Sequence, residues 1–420
     1  MKVFKFGGAS AASIERINHI PKILKPYSEE KLLVVISAMG KTTNALEKVL
    51  QSFYEGKKEE ALLLFNAVKQ SHLQTAKYLL VTHYNEAEDR LSNFFTEVEW
   101  LLHDKPSKSF DYYYDQIVCI GELLSTTILS AFLNQEGAAN EWIDVRDIFR
   151  TDDNFRDANI DWAVTEKSVA EKLLPLFEKQ NLVITQGFIA STDENESTTL
   201  GREGSDYSAA VFAAMLSAES QTIWKDVEGF MNADPKEFPE AVVIPELNYE
   251  EVIEMAYYGA QVIHPKTIKP LRNHGIPLYV KSFLDPSLPG TLIHEKYVRN
   301  LPPIFVLKKN QVLLHLQSRD FSFVGEKPVA RLYEILSQLK IKPNLMQTGA
   351  VNLMICVDER EDKLEKLAGA IAELFDLNVE KGLTLLTIRH GDERNLNELT
   401  KGRRILLKQQ TKETAQVLVV

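Results

Sequence analysis

Cysteine is nearly absent from this 420-residue sequence: Cys119 and Cys356 stand alone, far apart and each within an apolar pattern. Two such residues exclude a disulfide framework and a cysteine-based zinc site, and they fit buried, reduced thiols in a cytosolic chain. No apolar run nears the roughly 20 residues needed to cross a bilayer, and no basic stretch precedes an apolar one at the start of the chain. Neither a membrane partner nor a secretory leader is expected, and the expected location is cytoplasmic. Positive charge is scarce as well. A formal net charge of −11 disfavours a nucleic-acid partner, because that binding rests on lysines and arginines neutralising phosphates.

What is present is ordinary globular composition, 45% hydrophobic and 25% charged, in a chain long enough for roughly two or three domains. Residues 3–6 form a short strand that stops at Gly7-Gly8, and a helix is expected to follow. Residues 32–38 form a continuous apolar run of the kind buried on both faces in a parallel sheet. From about 44 to 134 glycine and proline are rare and apolar residues recur every three or four positions, a long helical elaboration. Strand and helix then alternate through residue 281, so residues 1–299 read as one doubly wound α/β domain with an open, mainly parallel sheet between helical layers. Two prolines near residue 302 mark a boundary. Beyond it, strands at 311–317, 343–348, 351–357, 383–388, 403–409 and 414–420 alternate with helices at 327–340, 361–375 and 394–400. The order suggests a ferredoxin-like α+β unit over 311–379 and a shortened second copy over 383–420, together a regulatory region spanning 304–420.

Four segments carry possible chemistry. In Lys5-Phe6-Gly7-Gly8-Ala9-Ser10 the glycines let backbone N–H groups approach phosphate oxygens, although a plain strand-to-helix turn explains them about as well. Lys5 favours the phosphate, since a lysine at the end of an apolar strand is rarely placed there for packing. Glu122, in Gly121-Glu122-Leu123-Leu124-Ser125, lies within an apolar helical pattern and can anchor an ammonium; a solvated helix face is the plainer alternative. In Leu200-Gly201-Arg202-Glu203-Gly204-Ser205-Asp206, an arginine between glycines suits bidentate recognition of a carboxylate or phosphate. There Ser205 or Asp206 reads by default as an N-cap. Finally Lys225-Asp226-Val227-Glu228-Gly229 follows a strand, where a nucleotide-binding loop belongs in an open α/β sheet; a surface turn would look the same.

In this order, with Ser37-Ala38-Met39-Gly40-Lys41-Thr42-Thr43-Asn44 and Tyr258-Gly259-Ala260-Gln261-Val262-Ile263-His264-Pro265, these motifs resemble the aspartate kinases of the amino-acid kinase family. The resemblance covers essentially the whole chain and implies the amino-acid kinase fold with C-terminal ACT domains. It implies transfer of the γ-phosphoryl of ATP, with Mg²⁺, to L-aspartate, giving 4-phospho-L-aspartate at the entry to lysine, threonine and methionine synthesis. Lys5, Gly7, Gly8 and Asp206 would form the catalytic set, and Ser37, Thr43, Glu122, Arg202 and Ser205 the aspartate site. ATP would be met by Lys5, Gly8, Ser10, Lys225, Asp226, Met231, Lys236 and Gln261. An amino-acid effector would meet Ser318, Asp320, Phe321, Asn344 and Thr348, and ACT pairing implies a homodimer. No protein-held metal is expected. The chain departs from the family pattern at Ala9, Glu203, Lys225, Met231, Lys236 and Gln261, so Lys225 is expected to supply a cation that Gln261 does not. Two competing readings stand beside this one, a kinase for glutamate or acetylglutamate and a catalytically silent sensor.

Overall fold

The computed structural model describes residues 1–260, 263–319 and 323–420; Gln261, Asp320 and Phe321 lie outside them. Chain contacts divide the protein into two compact units. The first comprises 1–230, 245–253 and 262–298; the second comprises 231–244, 254–261 and 299–420.

In the first unit, β1 (Lys2–Phe6) is followed by a four-residue 3-10 turn, Gly8–Ala11, and two short helices, α1 (Ile14–Ile17) and α2 (Ile20–Leu24). The single helix expected after Gly8 is therefore broken into pieces, with Ser13 capping α1 and proline in the first turn of α2. The apolar run forms β2 (Leu32–Ile36), buried at all five positions. Burying each such side chain contributes about 1.5–3 kcal/mol. The helical stretch is α3 (Thr42–Tyr54), α4 (Lys58–Leu79), α5 (Tyr84–His103), α6 (Phe110–Val118) and α7 (Ile120–Gln135). By length and composition alone Phe110–Gln135 could cross a bilayer, but 89% of its most apolar window is buried inside the protein. It is packed as core.

Alternation resumes with β3 (Asn140–Trp142), α8 (Trp162–Ser168), β4 (Leu182–Gln186), the hairpin β5 (Ile189–Ser191) and β6 (Ser197–Thr199), α9 (Gly204–Met215) and β7 (Ser220–Lys225). β8 (Glu246–Asn248), α10 (Tyr249–Tyr258), α11 (Pro265–Asn273), β9 (Leu278–Ser282) and β10 (Thr291–His294) follow. One eight-stranded sheet runs β3-β4-β2-β1-β7-β9-β10-β8. It is parallel except where β9 meets β10. Lys5 is in register with Val35 and Ile223, and Ile36 with Gln186. The carboxyl ends of β1, β2, β4 and β7 therefore finish side by side, and the strand order reverses at β1, where open α/β sheets bind their ligands.

The second unit is built on β11 (Ile304–Ser318), α12 (Glu326–Gln338), β12 (Leu345–Thr348), β13 (Asn352–Asp358), α13 (Glu361–Ile371), β14 (Phe375–Arg389), α14 (Glu393–Thr400), β15 (Ile405–Gln410) and β16 (Thr414–Val419). Its single antiparallel sheet has the order β12-β13-β11-β14-β16-β15. The strands read at 311–317 and 383–388 are each one half of a longer strand. β11 and β14 pair from Ile304↔Arg389 to Ser318↔Phe375, with a register shift between Lys308 and Leu313 where Asn310 and Gly382 take positive φ. Leucine and valine at 312, 314 and 316 pack under α12 and α13. On the next half of the sheet Leu386, Ile388, Val417 and Val419 pack with Leu396 of α14. Periodicity registered the alternation but not the continuity, because the local break at Asn310 resembles a turn.

Candidate active site

A cavity of about 470 Å³ opens at the carboxyl ends of β1, β2 and β7 and receives Lys5, Ser37, Thr43, Glu122, Arg202, Ser205, Asp206 and Lys225. Residues far apart in sequence thus converge as expected. Four cationic side chains line it, Lys5, Arg156, Arg202 and Lys225, against the acids Glu122, Glu203 and Asp206. In a chain of net charge −11 the lining carries one more cationic than acidic side chain, a local balance that suits an anionic ligand.

Lys5 is the last residue but one of β1, with its ammonium 2.6 Å from Asp206 Oδ1 on the first turn of α9; Lys225 Nζ lies 3.9 Å from Asp206 Oδ2. Burial alone would raise the Asp206 pKa, but the two lysine charges overcome it and hold the carboxyl below its ordinary value. Asp206 is therefore an anion that fixes two ammonium groups at the cavity wall. α9 starts on Glu203 in the left-handed conformation with no side-chain cap, so its first N–H groups carry a positive partial charge beside the cavity.

Glu122 on α7 is 3% exposed. Its Oε1 accepts the Ala38 N–H at 3.2 Å, and its Oε2 is buried with no hydrogen-bond partner. Burial pushes its pKa up to about 8, opposed by the Ala38 N–H and the charge of Lys5. A buried carboxylate oxygen without a donor is costly, and a substrate ammonium in the cavity would supply one.

The glycines have packing reasons of their own. A Cβ on Gly8 would stand 2.7 Å from the Ala38 carbonyl, and one on Gly187 would stand 2.6 Å from Ser205 Cβ. Gly8 thus lets the 38–40 loop close over the start of the chain, and Gly187 lets the end of β4 touch the start of α9. Gly7 borders Lys5, where a Cβ would lie 3.4 Å from Nζ.

Sequence reasoning did not find Tyr114, Arg156, Phe188 and Thr199, which also line the cavity. Behind them Asp115 accepts from Arg156 N at 2.9 Å, Thr199 N at 2.9 Å and Thr199 Oγ1 at 2.6 Å. Its pKa is raised to about 6 by burial, opposed first by the Thr199 hydroxyl. An aspartate on the apolar face of α6 was the available signal.

Other expected residues lie elsewhere. Ser10 is buried in the 3-10 turn, Asp226 is exposed beyond β7, and neither lines this cavity. Met231 and Lys236 belong to the second unit. There, Ser318 is buried at the end of β11 and Thr348 is exposed at the end of β12. Asn344 is engaged within the chain: its Oδ1 accepts from Lys308 Nζ at 2.8 Å, while its Nδ2 donates to Gln311 and Asp358 at 2.7 and 2.8 Å.

Residues 1–282 match the model of the amino acid kinase family. Lysine-sensitive aspartokinase 3 of Escherichia coli is 34% identical over 401 residues, covering 93% of this chain and 87% of that one. Aspartokinase 1 of the Arabidopsis thaliana chloroplast is 31% identical over 410 residues, covering 92% and 70%. Among solved structures, E. coli aspartokinase III with aspartate and ADP superposes with a TM-score of 0.81 at 30% identity, over 100% of this chain and 96% of that one. The same enzyme with lysine and aspartate gives a TM-score of 0.80. The chain belongs to the amino acid kinase family and, within it, to the aspartokinases.

Proposed function

We propose that the cavity holds L-aspartate with its ammonium at Glu122 and its carboxylates facing Arg202 and the start of α9, and that the β-carboxylate takes the γ-phosphoryl of ATP. The observation that carries this reading is the unpartnered Oε2 of Glu122 in a cavity otherwise rich in cations. A carboxylate with a reference pKa near 3.9 is already ionised at neutral pH, so it attacks without a general base. One aspartate oxygen forms a bond to the γ-phosphorus as the bond to the bridging oxygen breaks, and the electron pair leaves on ADP. Lys5 and Lys225, held by Asp206, are placed to neutralise charge on the transferred group and the leaving oxygen.

Among the described residues no three His, Cys, Asp or Glu side chains are grouped to hold a metal ion, and Asp206 is committed to lysines. The donor set does not fit a resident cation. Mg²⁺ therefore enters on the ATP phosphates, as part of the substrate. A cytoplasmic homodimer paired through the second unit, with an end-product amino acid as effector, completes the proposal. Both solved complexes, with ADP and with lysine, are of the E. coli relative.

Offering ATP·Mg with L-aspartate, L-glutamate or N-acetyl-L-glutamate, and trapping acyl phosphate with hydroxylamine, tests the assignment. Aspartyl hydroxamate is the expected product. Hydroxamate from glutamate alone would overturn it, and nucleotide binding without turnover would favour a sensor.

A further inference from the structure

Arg156 lines the substrate cavity, yet its backbone position is a poor one for an arginine. It is the third residue of the turn Asn154–Asp157, which is closed by the Asp157 N–H to the Asn154 carbonyl at 3.2 Å and by Asn154 Nδ2 to the Asp157 carbonyl at 2.7 Å. Its φ of 69° lies in the left-handed region, where a side chain is strained and glycine is favoured. The Asp115 carboxylate accepts the Arg156 N–H and holds the backbone there. A turn alone would be served better by glycine, so the side chain is the feature that calls for a reason.

The guanidinium is held in place as well. Its carbon stands 4.4 Å from the ring centroid of Tyr114 and 5.9 Å from that of Phe110. Tyr114 also lines the cavity, and its hydroxyl donates to Glu47 at 2.9 Å, so the arginine rests on a fixed platform. Arg156 Nη1 donates to Asp111 at 3.0 Å, but both partners are about half exposed, and a pair of that kind contributes little. Nε and Nη2 have no protein acceptor among the described residues.

The turn abuts the loop that carries Arg202. A Cβ on Gly201 would stand 2.7 Å from Asp157 Oδ1 and 3.2 Å from the Arg156 carbonyl. The Ala158 N–H donates to the Thr199 carbonyl at 3.0 Å, and Lys266 Nζ donates to both Asp157 and the Leu200 carbonyl. Two arginines therefore enter one cavity from touching loops, while Lys5 and Lys225 are paired separately through Asp206. We infer that Arg156 is a specificity-determining residue that, with Arg202, clamps the α-carboxylate of aspartate, the one that is not phosphorylated. Two planar guanidinium groups suit the two oxygens of a carboxylate. With the ammonium at Glu122 and the β-carboxylate toward the lysines, three fixed points select one carboxylate of a diacid. The inference deepens the aspartate reading and rests on it.

The test is Arg156→Gly, which keeps the left-handed turn accessible and removes only the side chain. The KM for L-aspartate is expected to rise roughly 10–100-fold, the scale of a lost charge-assisted hydrogen bond. Because the clamp binds ground state and transition state alike, kcat should stay within about twofold and the KM for ATP·Mg should not move. L-Aspartic acid α-amide keeps the ammonium and the β-carboxylate but not the clamped charge; used as an inhibitor competing with aspartate, it should bind the two proteins nearly equally. An unchanged KM for aspartate, a fall in kcat in its place, a raised KM for ATP·Mg, or equal weakening of aspartate and its amide would each overturn the inference; a turn that only shaped the loop would weaken aspartate and amide together. Failure of the aspartate reading is distinct, since it shows as no aspartyl hydroxamate from the unaltered protein, whereas failure of the clamp shows only on substitution.

Discussion

Lys5 and Asp206 are a buried ion pair, and truncating one partner leaves the other charge in a poor environment. Lys5→Ala is expected to lower kcat by about 10²–10³-fold, the scale of one lost transition-state donor, and to cost about 3–5 kcal/mol of stability. Adding Asp206→Asn should return much of the stability and none of the turnover, measured by denaturant melts beside an ADP-release assay. At Glu122 the sign of the pH effect follows from its raised pKa. Between the ordinary value of 4.5 and about 8 the folded protein keeps a proton that the unfolded chain has lost, so this group costs stability as pH rises through that window. Glu122→Gln should therefore melt higher than the unaltered protein above pH 8. In the unaltered protein the KM for aspartate should fall as pH approaches 8, when the carboxylate that pairs with the ammonium is formed; the glutamine variant should show a high KM with no such dependence. Lys5, Glu122 and Arg202 were legible in the sequence because each violates its local pattern, a charge in an apolar strand, in an apolar helix, or between glycines. Arg156 and Thr199 violate nothing locally. Their place in the cavity is made by Asp115 pulling separate segments together, which no spacing encodes.

At the scale of elements, the end of β4 and the start of α9 interlock through Gly187. Gly187→Ala should cost about 1–3 kcal/mol by overpacking and should also reduce kcat, because Ser205 and Asp206 cannot yield without moving the lysines. A variant that lost stability with unchanged kinetics would separate the glycine from the site. Helices and central strands were legible here because their burial follows a regular period: β2 is buried throughout, and α3 has Leu46, Val49, Leu50 and Phe53 inward. Turn chemistry was less legible. The paired glycines after β1 read as a helix start, yet Ser13 and Pro21 restart the helix twice.

For the molecule as a whole, pairing through the second unit predicts a particle of twice the 47.7 kDa chain mass in sedimentation equilibrium. A monomer at all accessible concentrations would remove ACT pairing from the proposal. Titrating lysine and threonine against activity identifies the effector; because Asn344 already holds Lys308 and Asp358, Lys308→Met should change the response to an amine-bearing effector if Asn344 contacts it. The long strands β11 and β14 have a further consequence. Each threads both halves of the six-stranded sheet, so neither half owns a complete set of strands. Hydrogen exchange should therefore find one shared opening event along 312–316 and 384–388, and the two halves should denature together as a single cooperative block.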